Sequence, residues 1–145
     1  MSEIDTRRAN TLDDKKKSFA AELPEDCPFP RAKECDGEVF MLVKQEPITS
    51  DQVRSQAERG RARNAMGEAA CMRHGLSVFR TFSECDHARR VLSARNIGDL
   101  IAVATLNADH GVIAPTPSLP GHLTWWPFVE TQRETLFRVT NTDGA

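Results

Sequence analysis

The segment Gly121-His122-Leu123-Thr124-Trp125-Trp126-Pro127-Phe128 holds both tryptophans of a chain whose other aromatics are seven phenylalanines. On a strand, alternation puts His122, Thr124 and Trp126 on one face and Trp125 on the other. One surface would then offer an imidazole for acid/base work, a hydroxyl donor and an aromatic wall. That set suits a planar, nucleotide-like ligand with a phosphate nearby. His122 and Thr124 are the catalytic candidates, Trp125 and Trp126 the ligand-binding ones, and Arg80 the phosphate clamp. The alternative is a Trp-rich strand that closes the core, because aromatics are usually interior.

His122-Leu123-Thr124 also resembles half of the signature of two-histidine phosphoesterases. That family needs two such copies, so that two imidazoles flank one phosphate. His74, His87 and His110 are followed by Gly75-Leu76, Ala88-Arg89 and Gly111-Val112, with no hydroxyl at the second position. The resemblance stops at four residues. His110, next to Asp109 in a turn, is a further catalytic candidate if its loop folds towards His122; in turns, however, aspartate commonly bonds its own backbone.

Cysteine and histidine recur as Cys71-Met-Arg-His74 and Cys85-Asp-His87. Thiolate and imidazole pairs are how zinc is held, so Cys71, His74, Cys85 and His87 form a candidate zinc set. The second pair is spaced too tightly for a helical face, and four isolated cysteines is the simpler reading. Cys85 also falls near an expected helix start, where a dipole favours thiolate, although Glu84 and Asp86 oppose it. Arg54, Arg59, Arg61 and Arg63 could form a polar stripe that grips carboxylates or phosphates and would suit an acidic protein partner. No phosphate-binding loop, dinucleotide fingerprint, His-Glu-x-x-His or nucleophile elbow is present, and no cofactor is expected.

These residues need elements to position them. Glu38–Lys44 is a compact apolar run between Gly37 and Pro47 and reads as a buried strand. Ser50 or Asp51 can cap a helix running to Gly75, with Val53, Ala57, Ala62, Ala65, Ala69 and Met72 on one stripe, and Gly60 and Gly67 as weak points where it could break into two helices. Leu76–Phe82 reads as a strand. Ser83 to Asp86 resembles a capping box that opens a helix to about Ala94. Asp99–Leu106 is strand-like, and Val112–Ala114 is expected to pair back on it as a hairpin across the turn at 107–111. His122–Phe128 should be extended, and Thr135–Thr140 a last strand. The order implies an α+β fold: a small mixed, mostly antiparallel sheet with two or three helices packed on one face.

The 145 residues suit one domain. A polar tail, 1–23, with a possible short helix ended by Pro24, precedes a single domain over 24–140 and a frayed end, 141–145. A formal net charge of −2 gives no sign of wholesale nucleic-acid or membrane binding. Met1 to Lys17 is charged without an apolar core, so the expectation is no export signal, reduced cysteines and a cytoplasmic, bacterial setting. The leading functional expectation is a small cytosolic binding or accessory protein working through a protein partner. An enzyme acting on a nucleotide-like or phosphate-bearing substrate through His122 and Thr124, and a zinc-stabilised interaction module, are the alternatives.

Overall fold

The computed structural model describes residues 18–19, 23–61 and 64–141. Strands β1 (Lys33–Glu34), β2 (Gly37–Val43), β3 (Leu76–Phe79), β4 (Leu100–Leu106), β5 (Val112–Pro115), β6 (His122–Trp126) and β7 (Arg138–Thr140) build one sheet, accompanied by helices α1 (Gly67–Arg73), α2 (Phe82–Val91) and α3 (Arg133–Leu136). The strand order is β1-β5-β6-β3-β2-β4-β7, and every neighbouring pair is antiparallel. The fold is α+β with the sheet dominant. The expected mixed sheet is corrected to a wholly antiparallel one, for a topological reason. The helical crossover β3-α2-β4 sends both strands the same way, but β2 lies between them, so no two neighbours are parallel.

Two further expectations fail locally. The long helix over residues 50–75 is a 3-10 turn at Ser50–Val53, a run of turns, and a helix that starts only at Gly67. Gly60 (φ +78°) and Gly67 (φ +61°) sit in left-handed conformations that interrupt a helix. The mostly alanine stripe has too little apolar area to compensate. Nor does Val112–Ala114 form a hairpin with the preceding strand. Both edges of β4 are occupied, by β2 and β7, so β5 pairs with β6 and β1 instead. Helix α2 forms as expected but is capped two residues earlier. The Thr81 hydroxyl oxygen accepts from the Glu84 amide at 3.1 Å and donates to the Glu84 carboxylate at 3.0 Å.

Alternation sorts the sheet into two faces. Val39, Met41, Val43, Leu76, Val78, Ala102, Ala104 and Trp125 share one face and one apolar cluster, which Val53 and Phe137 join. Trp125 lies on β6 and Phe137 adjoins β7, four places apart in strand order. In a flat sheet those strands would be about 19 Å apart. The two rings are 5.9 Å apart, so the sheet rolls, and this face is its concave interior. The opposite, convex face is covered in two patches. Cys85 and Ala88 of α2 pack on Phe40, Phe79, Ile101 and Val103. Cys71 of α1 and Phe29 of the N-terminal segment pack on Trp126 and Ala114. Between the patches lie the polar residues of β3 and β6.

Candidate functional site

Strand register brings the polar residues of the convex face together. Ser77 of β3 lies opposite Thr124 of β6, and Phe79 opposite His122. Thr116, just beyond β5, donates its amide to the His122 carbonyl at 3.1 Å, which turns its side chain onto the same face. The chain entering β3 must approach β6 closely. A Cβ at Gly75 would fall 2.4 Å from Thr124 Cγ2, so only glycine fits there.

The His122 ring is held from three sides. Nδ1 lies 2.7 Å from the Thr116 carbonyl oxygen and 2.8 Å from Thr116 Oγ1. Nε2 lies 3.0 Å from Ser77 Oγ. The Phe79 ring meets the imidazole edge-on, centroids 5.4 Å apart. A carbonyl only accepts, so its contact puts the proton on Nδ1 and leaves Nε2 with a free lone pair. Nε2 therefore accepts from the Ser77 hydroxyl. Thr116 Oγ1 also bonds Thr124 Oγ1 at 2.8 Å, which satisfies both buried hydroxyls. Burial pushes the imidazole pKa below its ordinary 6.5, and the Thr116 carbonyl only partly opposes this. His122 is thus a neutral base at physiological pH. It is itself buried, while Ser77 is exposed. A hydroxyl open to solvent, a base within hydrogen-bond reach and a third group orienting that base are the parts of an activated nucleophile.

Of the residues expected from the sequence, His122 and Thr124 belong to this constellation. Ser77 and Thr116 were missed. Pairing two strands 45 residues apart in sequence puts Ser77 beside His122, and no local pattern announces it. The two indoles do not form a ligand wall, which corrects that expectation. Trp125 and Trp126 are both 0% exposed. Their N–H groups are spent internally, on the His110 carbonyl at 2.8 Å and the Cys71 carbonyl at 2.9 Å.

His110 does not converge on His122. Val112 pairs with Trp126, so His110 lies beyond the opposite end of β6, at least about 13 Å along the strand. Its Nδ1 accepts from the Asn107 amide at 3.0 Å, completing a local cap. Arg80 is exposed and paired with Glu84 at 3.0 Å. The helix that would carry the arginine stripe is absent, yet Arg54 and Arg59 both reach the Asp51 carboxylate, at 3.5 and 3.8 Å. Arg54 bonds the Glu58 carbonyl, and Arg59 the Asp51 carbonyl. The carbonyl of exposed Arg61 receives Arg73 at 3.0 Å. Arg63 lies outside the described residues. Glu58 of this loop is gripped bidentately by Arg133 at 2.7 and 2.8 Å. Burial pushes its carboxyl pKa up, but the Arg133 guanidinium and the Ser55 amide outweigh that and hold it below 4.5.

The expected reduced cysteines are corrected too. Cys27 and Cys71 form a disulfide, with Cα atoms 5.4 Å apart, which removes the thiol argument for a cytoplasmic setting. The zinc set does not assemble. Cys71 is in that bond, His74 Nδ1 is 2.7 Å from the Ala70 carbonyl oxygen, and Cys85 is buried between α2, to which it belongs, and the sheet. Among the described residues no three Cys, His, Asp or Glu side chains gather as metal ligands. Nor is Cys85 a reactive thiolate: burial drives its pKa up to about 12. No helix among the described residues is long and apolar enough to cross a membrane.

Comparison of the chain with protein-family models, with curated proteins and with solved structures returns no match.

Proposed function

We propose that the protein is an acyl-transfer enzyme of the hydrolase type, with Ser77 as nucleophile and His122 as general base. The observation that carries this reading is the 3.0 Å contact between an exposed Ser77 Oγ and a buried His122 Nε2. In the reaction, Ser77 Oγ attacks an ester or thioester carbonyl as Nε2 takes its proton. The imidazolium that forms is stabilised through Nδ1–H on the Thr116 carbonyl, in the role a carboxylate fills in the Ser-His-Asp triad. The same proton then passes to the leaving group; next His122 takes a proton from water, the hydroxide adds to the acyl carbonyl, and the bond to Ser77 Oγ breaks as His122 returns the proton to that oxygen.

An uncharged acyl group needs no cation at the hydroxyl. A phosphate-bearing, nucleotide-like substrate fits less well, because its expected stacking wall is enclosed and its expected clamp, Arg80, is engaged with Glu84. The partner-binding reading has less to rest on, because Arg54 and Arg59 are engaged with Asp51 and no helix aligns them with Arg61.

The test is covalent labelling with a fluorophosphonate followed by peptide mapping. The adduct is expected on Ser77, absent from Ser77→Ala, and slowed about 100-fold when His122 is replaced by glutamine. A Ser77→Cys variant alkylated with iodoacetamide supplies a second readout if the histidine variant misfolds. Its rate should follow the ionisation of a thiol beside a neutral imidazole. Absence of any adduct on folded wild-type protein, or an adduct whose rate ignores His122, contradicts the proposal.

A further inference from the structure

Residues 23–32 form a strap across the convex face over Trp126, from which Arg31 reaches Pro115. It is fastened at three points. Beyond it, β1 pairs with β5. In its middle, Phe29 meets Trp126 edge-on with centroids 5.5 Å apart, and Arg31 lies 4.5 Å over the Phe29 ring while its guanidinium donates to the Pro115 carbonyl at 3.0 Å. The third fastening is the bond from Cys27 to Cys71 of α1. That helix has seven residues and no side-chain cap at its start, and its Cys71 carbonyl holds the Trp126 N–H at 2.9 Å. Strap and helix together leave Trp126 wholly enclosed.

Only one of the three fastenings is chemically reversible. We infer that the Cys27–Cys71 disulfide is a redox latch, whose reduction frees the strap and α1 from each other and opens Trp126 to solvent while the rolled sheet around Trp125 stays closed. The inference rests on the covering of Trp126 and not on the catalytic reading of Ser77.

The chemistry is a dithiol exchange. A thiolate of the reductant attacks the Cys27 sulfur, because Cys27 is half-buried and Cys71 is buried. The S–S bond breaks, its electron pair leaves on Cys71 sulfur, and that thiolate is protonated from water. The second thiol of the reductant then displaces Cys27, releasing the reductant as its disulfide and leaving two protein thiols. The remaining cysteines do not interfere. Cys35 and Cys85 are buried free thiols, and desolvation pushes both to about 12.

The latch is tested by acrylamide quenching in a Trp125→Phe variant, where Trp126 is the sole indole. In oxidised protein quenching should be weak. Dithiothreitol should raise the quenching constant several-fold with the far-UV circular dichroism unchanged. A Cys27→Ser/Cys71→Ser version should show the raised value without reductant and no response to it. Alkylation in denaturant, read by mass, should count two thiols before reduction and all four cysteines after. Unchanged quenching after complete reduction would overturn the inference, as would four reactive thiols in protein never exposed to reductant. Global loss of helix and sheet signal on reduction would overturn it as well, since the bond would then be a staple of the whole fold.

Discussion

Trp125 and Trp126 are neighbours in sequence, equally enclosed, and held by different means. Trp125 points into the concave side, where the sheet has rolled far enough for Phe137 to reach it from the other edge. Its enclosure is a property of the whole sheet. Trp126 points to the convex side, where a short helix and a strap tied by one disulfide cover it. Its enclosure is a property of two add-on segments. The contrast shows how a seven-stranded sheet acquires a site. The apolar side closes on itself, and the other side is covered only in patches. The polar strip between α1 and α2 is where the exposed Ser77 and the buried His122, Thr124 and Thr116 find each other.

The comparison can be broken most forcefully at Trp125. Trp125→Ala should destabilise the protein by about 3–5 kcal/mol in chemical denaturation, because no segment can move in to fill the concave core. A loss under about 1 kcal/mol would mean that the sheet does not roll around that ring.

Next in size is the tie between the Ser50–Val53 turn region and α3. Arg133→Met removes the bidentate pair to Glu58 and the bond to the Val53 carbonyl at 2.7 Å. The pair is mostly buried, and a loss of about 1–3 kcal/mol is expected. In a double-mutant cycle with Glu58→Gln the two losses should be strongly non-additive. Additive losses would show that the contact does not hold the concave side shut.

Thr116→Val sharpens the account of the polar strip. It removes the hydroxyl bonded to Thr124 Oγ1 but keeps the carbonyl that orients His122. Stability should fall by about 1–2 kcal/mol, while fluorophosphonate labelling of Ser77 should persist. Loss of labelling with full stability would give the hydroxyl, not the carbonyl, the orienting role.

The smallest expected effect is in pH dependence. Both His122 and Glu58 have folded pKa values below their unfolded ones. The unfolded chain therefore binds more protons in each window, and stability must fall as the solution is acidified. For His122 the loss begins as pH drops through 6.5, and for Glu58 as it drops through 4.5. Denaturant midpoints measured from pH 8 to pH 4 should decline in that order. A midpoint that rises between pH 7 and pH 5.5 would mean that His122 gains a proton on folding.

What could be read in the sequence follows from how local its cause is. The runs Glu38–Lys44 and Asp99–Leu106 carry strand chemistry in their own side chains and form strands, whereas Leu76–Phe82 is a strand only to Phe79, because Thr81 caps a helix that begins at Phe82. The α2 helix is legible, but Thr81 rather than Ser83 caps it: the two pairs share one spacing, yet Glu84 is long enough to reach back to the Thr81 hydroxyl, while the shorter Asp86 carboxylate is held by Arg89. The continuous helix over 50–75 does not form, because an alanine stripe offers little apolar area and Gly60 and Gly67 readily adopt positive φ. β1 leaves no trace in the sequence, since a two-residue edge strand has no period to detect. The same holds for the site. His122 and Thr124 stand two apart on one strand, a spacing a sequence displays. Ser77 and Thr116 reach them only through strand register, and Cys27 reaches Cys71 only through the fold, so neither carries a sequence signal.

The central claim, that Ser77 faces a neutral base locked in one tautomer, is tested most directly by ¹⁵N–¹H NMR of imidazole-labelled protein between pH 8 and pH 5. His122 should carry its proton on Nδ1, Nε2 should shift as an unprotonated acceptor that responds to Ser77→Ala, and the ring should titrate below the ordinary 6.5. A ring protonated on Nε2, or one that titrates at or above the ordinary histidine value, would contradict it.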